Sequence, residues 1–230
     1  MFGGWTAALM LKAVLGEAGA TGSPSAVTVN FINRVTPGSA LELRTRRLGG
    51  GRSVTHWSCD LIGEDGGLLA VATIVLAARR ESLSWCEQTM PQIPEPDRLP
   101  ASRPPARFGD MIDMRTALGA DYFNQPSSRS VHWEKETSGR TIDAMQLLFL
   151  GDLGVPRVFF ISDGPRPSST ITLSLYVHAT PAELAACGDD YILGDLTGTR
   201  VEQSSFGMKK DMWSRAGALL ATTEQLCWFR

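Results

Sequence analysis

Asp152 combines a charged side chain with an apolar setting. It follows Phe149, Leu148 and Met145 by three, four and seven positions, so a helix through this segment carries its carboxylate on an apolar face. Burial raises the pKa of a carboxyl group and strengthens it as a general base. The alternative is that Asp152 ends the helix and is solvated there, and the spacing favours neither interpretation over the other.

Gln225 and Thr170 are polar residues in segments that the sequence predicts to be strands. Thr170 begins one strand, and Gln225 lies in the last strand. Gln225 shares a strand face with Leu219, Ala221, Thr223 and Cys227. An amide on such a face is unsatisfied unless another group hydrogen-bonds it. Alternation also permits Gln225 to face solvent, but its apolar companions favour the inward orientation.

Several common catalytic signatures are absent from the sequence. It contains no G-x-S-x-G, no H-E-x-x-H, no P-loop and no G-x-G-x-x-G. The four cysteines form no C-x-x-C pair, which argues against a zinc site and a disulfide framework. We therefore predict no metal and no cofactor. His56, His132 and His178 are interpreted as ordinary polar residues of strands.

Charge and hydropathy exclude several classes of partner. Twenty-two basic and 24 acidic residues give a net charge of −2 without runs of like charge, so nucleic acid and anionic membrane surfaces are not expected partners. No apolar run approaches the ~20 residues that cross a bilayer. The apolar stretch 5–15 lacks a preceding basic region, so a signal peptide is not expected. Widely spaced cysteines fit a reducing cytoplasm, which is the predicted location.

Two helices and several strands are predicted from periodicity. The helices cover residues 2–15 and roughly 141–153, and the second is apolar nearly all round, so it must be enclosed by a sheet. The predicted strands are 43–47, 53–62, 68–78, 170–178, 201–213 and 219–230.

The two halves of the chain resemble each other. Residues 27–32 match 171–176, and each segment is followed by Thr-Pro, at an offset of 171 − 27 = 144; residues 67–79 match 218–230 at an offset of 151 (221 − 70). A segment with six prolines between residues 86 and 108 separates the halves. We predict a unit at 1–81, a linker at 82–108 and a second unit at 109–230. The predicted fold class is α+β, with two antiparallel sheets that each wrap around a buried central helix.

Four sequence features together resemble a known family. They are Phe2-Gly3-Gly4 opening the first helix, Gly151-Asp152-Leu153, the strand from Thr170 to Tyr176-Val177-His178, and residues 217–225 followed by Arg230. In this order and spacing they are similar to the thioesterase-like superfamily, specifically to acyl-CoA thioesterases of type II, whose members fuse two hotdog units in one chain. The resemblance covers nearly the whole sequence.

The resemblance implies a double hotdog fold and hydrolysis of a fatty acyl-CoA thioester. It implies that Asp152, Thr170 and Gln225 hold and activate the attacking water. Five residues are expected to bind substrate: Gly3 and Gly4 near the backbone donors for the thioester oxygen, and Leu148, Phe149 and Tyr176 along an acyl tunnel between helix and sheet. A homo-oligomer without a cofactor is also implied.

One departure from the family pattern and three alternatives accompany this interpretation. Family members carry a strand before Phe-Gly-Gly, whereas Met1 directly precedes it here, so either the first sheet lacks a strand or the true start lies upstream. The chain could instead be a non-catalytic acyl-CoA-binding protein, or a hydratase or dehydratase that uses His178. The three basic residues Arg34, Lys209 and Lys210 either bind the coenzyme A phosphates or form a solvated face.

Overall fold

The strands in the described part of the chain are all antiparallel and belong to one continuous sheet. The computed structural model describes residues 1–104 and 108–230. The elements in chain order are α1 (Gly3–Leu15), β1 (Ser23–Phe31), β2 (Leu41–Gly50), β3 (Val54–Gly63), β4 (Leu68–Ala77), β5 (Ala101–Ser102), β6 (Ile112–Leu118), β7 (Ser130–Glu136), α2 (Ala144–Gly151), α3 (Val158–Ile161), β8 (Ser168–Val177), α4 (Pro181–Cys187), β9 (Ile192–Glu202), β10 (Ser205–Ser214) and β11 (Leu219–Phe229). Across the described part of the sheet the order is β2-β3-β4-β1-β8-β11-β10-β9-β7-β6-β5.

The expectation of two separate sheets is wrong. Strand β1 of the first half pairs with β8 of the second, in register from Ala26 opposite Tyr176 to Asn30 opposite Thr172. The hydroxyls of Thr28 and Ser174 hydrogen-bond across this seam at 3.0 Å. Pairing satisfies two strand edges that separate sheets would leave open.

Helices α1 and α2 lie in one shared core. Their buried apolar residues join those of β1, β3, β4 and β8 in a single cluster. Helix α2 is shorter than the predicted 141–153, because it begins after Asp143 and ends before Asp152. The Asp143 carboxylate caps its start by accepting the backbone N–H of Gln146 at 2.7 Å. The cluster therefore joins both halves of the chain rather than forming one core for each.

Strands β6 and β7 and most of β9 were not expected from periodicity. The predicted strand 201–213 is really the end of β9 followed by β10, and the chain turns at Gln203 and Ser204, which have φ of 45° and 61°. Neither residue is a glycine, so the sequence carries little signal of a left-handed turn. The proline-rich segment packs against the sheet: the Trp133 indole donates to the Pro94 carbonyl at 3.0 Å.

Leu148→Ala should destabilise the fold strongly. Leu148 is 0% exposed in the shared core, so truncation leaves a cavity and costs about 2–5 kcal/mol of unfolding free energy. Leu226→Ala is the matched control, because Leu226 is 43% exposed. Urea denaturation of both variants measures the difference. Equal losses would contradict the placement of Leu148 in the core.

Candidate active site

The Asp152 carboxylate connects the ends of the two main helices. Asp152 follows the last residue of α2, and its Oδ2 accepts the Gly4 N–H from the first turn of α1 at 2.7 Å. The N-terminus of a helix carries partial positive charge, which favours an anion at this position. A Cβ on Gly4 would lie 2.8 Å from the Leu148 carbonyl oxygen and 2.8 Å from the Asp152 Cβ. Only glycine lets α1 approach α2 this closely.

Gly4 was expected to lie near the backbone donors for the thioester oxygen, as a small residue that permits close approach. In the structure its own N–H donates to Asp152. Gly3 lies on the wall of an adjoining pocket. Any backbone donor for a substrate must therefore be another group than the Gly4 N–H.

Burial raises the pKa of Asp152 to about 7. The Gly4 amide, the Gln225 amide and the Lys210 charge each lower it, but they offset burial only in part. An ordinary aspartate has a pKa of about 3.9. The carboxyl group is therefore near half ionised at neutral pH, where a general base is most effective.

Gln225 presents an unpaired donor beside this carboxyl group. Its side chain is buried, its Oε1 accepts the Thr170 hydroxyl at 3.2 Å, and its Nε2 has no hydrogen-bond partner in the described part of the chain. The Gln225 amide lowers the pKa of the nearby Asp152, although Nε2 and the carboxylate do not form a hydrogen bond. A buried donor without a partner is costly, which suggests that a ligand or water fills the place.

A β-bulge brings Thr170 to Gln225. In β8, Leu173 pairs with Gln225 and Thr170 pairs with Cys227, and Ile171 is the extra residue between the two registers. Strict alternation would place Thr170 on the same face as Tyr176, away from the core. The bulge reverses its direction, so its hydroxyl reaches the inner face.

Two pockets adjoin these residues. Asp152 lines a pocket of about 250 Å³, called here the aromatic pocket because five aromatic residues contribute to its wall: Phe2, Phe108, Tyr122, Phe159 and Phe160. Gly3 and Thr170 line a larger pocket of about 840 Å³ that also includes Arg34 and Trp228. Each pocket therefore includes one partner of a site hydrogen bond: Asp152 of the Gly4–Asp152 bond and Thr170 of the Thr170–Gln225 bond.

The sequence matches family models along nearly its whole length. Residues 87–229 match the acyl-CoA thioesterase C-terminal domain, and residues 1–77 match the acyl-CoA thioesterase N-terminal domain. The chain belongs to this thioesterase family. The resemblance inferred from the sequence is thereby confirmed, and the matches support thioester hydrolysis as the general activity.

Solved structures show the same fold. A hotdog-fold protein of unknown function from Alicyclobacillus acidocaldarius has a TM-score of 0.93 at 31% identity, covering 100% of this chain and 87% of its own. A tesB protein from Mycobacterium avium subsp. paratuberculosis has a TM-score of 0.83 at 19% identity, with coverage of 100% and 87%. The acyl-CoA thioesterase II TesB2 from Mycobacterium marinum has a TM-score of 0.81 at 15% identity, with coverage of 100% and 89%. No curated protein matches the sequence significantly.

Two of the expected acyl-binding residues, Leu148 and Tyr176, line neither of these two pockets. Leu148 is wholly buried in the core, and Tyr176 is 43% exposed on the outer face of the sheet. The inner face of β8 is formed by Leu173 and Leu175. Phe149 packs edge-to-face against Phe2, with ring centroids 5.5 Å apart. It therefore contacts a residue of the aromatic pocket wall.

The basic residues proposed for coenzyme A separate in the structure. Arg34 lines the larger pocket, whereas Lys209 is exposed and pairs with Glu224 at 3.0 Å. Lys210 is fully buried and bonded to Glu134, so both the phosphate-binding and the solvated interpretations of Lys210 are wrong. The sequence indicated this burial, because two-residue spacing places Lys210 on the same strand face as the apolar residues Phe206, Met208 and Met212.

Among the described residues, no helix has both the length and the hydropathy of a membrane span.

Gly4→Ala should destabilise the protein. The added Cβ meets two backbone carbonyls and Asp152 at under 3 Å, so α1 must move away, at a cost of about 1–3 kcal/mol. Gly51→Ala is the control, because a Cβ there meets nothing within 4 Å. Chemical denaturation compares the two variants. A neutral Gly4→Ala variant would show that the close helix contact is unnecessary.

Asp152→Asn should stabilise the protein increasingly as pH rises. In the unfolded chain this carboxyl group ionises at about pH 4, whereas in the fold its pKa is about 7. Between these values unfolding releases a proton, so the carboxyl group destabilises the wild type by a growing amount, reaching about 2–4 kcal/mol above pH 7. Unfolding free energies of both proteins from about pH 4 to about pH 9 check the trend. A constant difference would contradict the raised pKa.

Proposed function

We propose that this protein is an acyl-CoA thioesterase that hydrolyses a fatty acyl-CoA to the free acid and coenzyme A. Asp152, Thr170 and Gln225 activate and hold the attacking water. The observation that carries the proposal is the unpaired buried Nε2 of Gln225 beside the Asp152 carboxyl group. A donor and a base next to one another, each lacking part of its solvation, suit a bound water molecule.

In the proposed mechanism Asp152 is the general base. Its ionised carboxylate takes a proton from the water, the water oxygen attacks the thioester carbonyl carbon, and a tetrahedral intermediate forms. The carbon–sulfur bond then breaks, and the proton passes from Asp152 to the departing sulfur. The products are a carboxylic acid and the coenzyme A thiol. A base with a pKa of about 7 can perform both transfers near neutral pH.

Thr170 and Gln225 have separate tasks in this scheme. The Thr170 hydroxyl donates to Gln225 Oε1, which fixes the orientation of the amide. The Nε2 then donates to the water or to the oxygen on which negative charge develops. A preorganised donor of this kind requires no rearrangement during the reaction.

The two pockets suggest how the substrate lies. The aromatic pocket of about 250 Å³ beside Asp152 suits the acyl group, since its walls are mainly apolar. The larger pocket, where Arg34 is the basic residue, suits the coenzyme A part. Gly3 contributes to the substrate-binding wall there. The thioester carbon would then lie between the two pockets, next to the base.

The sheet order supports a duplication of two hotdog units, at 1–81 and 109–230, joined by 82–108. The order β2-β3-β4-β1 in the first half is mirrored by β9-β10-β11-β8 in the second. The sequence match at an offset of 144 falls on β1 and β8, the strands that pair at the centre. Gln225 aligns with Ile74 at the offset of 151, so the first unit lacks the catalytic glutamine, and the three catalytic residues all belong to the second unit. A homo-oligomer acting in fatty acid metabolism in the cytoplasm completes the proposal.

The histidines that could serve the hydratase alternative are already hydrogen-bonded to other residues. His178 is a neighbour of the outer-face Tyr176, and its Nε2 hydrogen-bonds the Thr222 hydroxyl at 3.1 Å. His132 does line the aromatic pocket with Asp152, but its Nε2 is bonded to Glu134 at 2.9 Å. Neither histidine is a free partner across the site.

Thiol release from acyl-CoAs of short to long chain tests the proposal. Wild-type protein should release thiol with a dependence on chain length. Asp152→Asn and Gln225→Ala should each reduce kcat by about 10²–10⁴, because they remove the base and the donor. Glu224→Gln is the matched control, since Glu224 is an exposed neighbour of Gln225 and should leave turnover unchanged.

The outcomes separate the candidate functions. Full activity in Asp152→Asn would remove the base from the scheme. No thiol release from any chain length, with acyl-CoA binding retained, would make this a binding protein instead. Consumption of an enoyl-CoA without thiol release would favour the hydratase.

A further inference from the structure

Lys210 is a charged residue with no exposed surface. It lies on β10 and is 0% exposed. Its ammonium group donates three hydrogen bonds: to Glu134 Oε1 at 2.5 Å, to the Leu150 carbonyl at 2.6 Å and to the Leu153 carbonyl at 3.2 Å. An ammonium group has three N–H donors, and all are used here. A buried charge is costly unless it is paired and fully hydrogen-bonded, and Lys210 meets both conditions.

The two carbonyls that Lys210 holds flank Asp152. Leu150 belongs to the last turn of α2, and Leu153 follows Asp152 directly. Carbonyls at the C-terminus of a helix carry partial negative charge and lack partners within the helix. A carboxylate at that end is repelled by them. The ammonium group of Lys210 neutralises this charge and fixes the backbone on either side of Asp152.

Glu134 and His132 extend the contact to the aromatic pocket. Glu134 is also 0% exposed, and its second carboxylate oxygen, Oε2, lies 2.9 Å from the His132 Nε2. His132 lines the same pocket as Asp152. A continuous polar chain therefore runs from the pocket wall through Glu134 and Lys210 to the end of α2.

We propose that Lys210 is a positioning residue for Asp152: it holds the final turn of α2 from behind the site and favours the ionised form of the carboxyl group. Glu134 keeps Lys210 charged, and His132 keeps Glu134 in place. The proposal rests on the proposed function, because it assigns Lys210 a part in the activity of Asp152 as base. Lys210 acts through Asp152 and the α2 backbone.

Electrostatics support this assignment. The Lys210 charge lowers the pKa of Asp152, while burial raises it. Burial also lowers the pKa of Lys210, and Glu134 raises it. Groups from every neighbouring element face Asp152 or its immediate partners: the Gly4 amide of α1, His132 and Glu134 of β7, Arg157 at the start of α3, Thr170 of β8, Lys210 of β10, and Gln225 and Cys227 of β11.

Lys210 is the cation in this set that acts directly on Asp152. The Cys227 thiol has a pKa raised to about 11 by burial, so it stays neutral near pH 7. Arg157 is held by the Val155 and Ser128 carbonyls and by the Ser130 hydroxyl. Removing the Lys210 charge should therefore act chiefly on the ionisation of Asp152, which a purely structural role would leave unchanged.

The experiment compares Lys210→Met with Lys209→Met. Lys209 is adjacent but exposed and paired with Glu224, so it controls for the loss of a lysine on β10. For each protein we would record kcat/KM against pH and titrate the Asp152 carboxyl carbon by ¹³C NMR, assigned with Asp152→Asn. In Lys210→Met both curves should move upward by about one pH unit or more.

The predicted loss depends on pH. An upward shift of one unit from a pKa of about 7 lowers the ionised fraction at neutral pH by about fivefold. Activity should therefore fall about fivefold at pH 7 and approach that of the wild type at about pH 9. Lys209→Met should keep the wild-type curve. An unshifted curve in folded Lys210→Met would overturn the proposal.

A second variant separates the loss of the Lys210 charge from misfolding caused by an unpaired Glu134. Lys210→Met leaves Glu134 buried without its cation, whereas Lys210→Met/Glu134→Leu removes both charges and replaces the pair with apolar groups of similar volume. This folded double variant should still show the upward shift, because the cation behind Asp152 is gone. A wild-type titration curve in it would contradict the assignment. If the wild type itself releases no thiol, the proposed function fails, and the NMR titration alone decides the role of Lys210.

Discussion

The contact between the first turn of α1 and the end of α2 is the constraint on which the site depends. The Gly4 N–H bonds the Asp152 carboxylate, and the absence of a side chain at Gly4 lets the helices approach. This bond joins residues 148 positions apart and belongs to both halves of the chain. The β1–β8 pairing likewise joins the two halves of the chain within the sheet. Neither half alone would place the carboxylate in this environment.

Asp152 is balanced between opposing influences. Burial favours its neutral form, while the hydrogen bond from the Gly4 amide, the Gln225 amide and the Lys210 charge favour the anion. The resulting pKa of about 7 suits a group that must first accept a proton and then release it. The buried Lys210–Glu134 pair is part of this balance, because it supplies a fixed positive charge where the end of α2 would otherwise be negative.

Part of this arrangement follows from sequence patterns with a clear physical cause. The apolar helix ending in Asp152, the inward Gln225 and the match between the halves could be predicted, because helical and strand periodicities are local properties. Strands β6 and β7 could not, and the turn at Gln203 and Ser204 carries no glycine signal. Local patterns also could not show that the halves share one sheet, since edge pairing depends on long-range contacts.

The sequence by itself determined which residues have the chemical types for the site and which family the chain belongs to. Tertiary structure decided their geometry. A single extra residue at Ile171 turns Thr170 inward, and its alternation partner Tyr176 remains outside. Strand periodicity places Lys210 on the apolar face of β10, but only the packed sheet brings Glu134 and the carbonyls of Leu150 and Leu153 to its ammonium group. The physical reason is that pKa, burial and hydrogen bonding depend on neighbours distant in sequence, whereas residue type and periodicity do not.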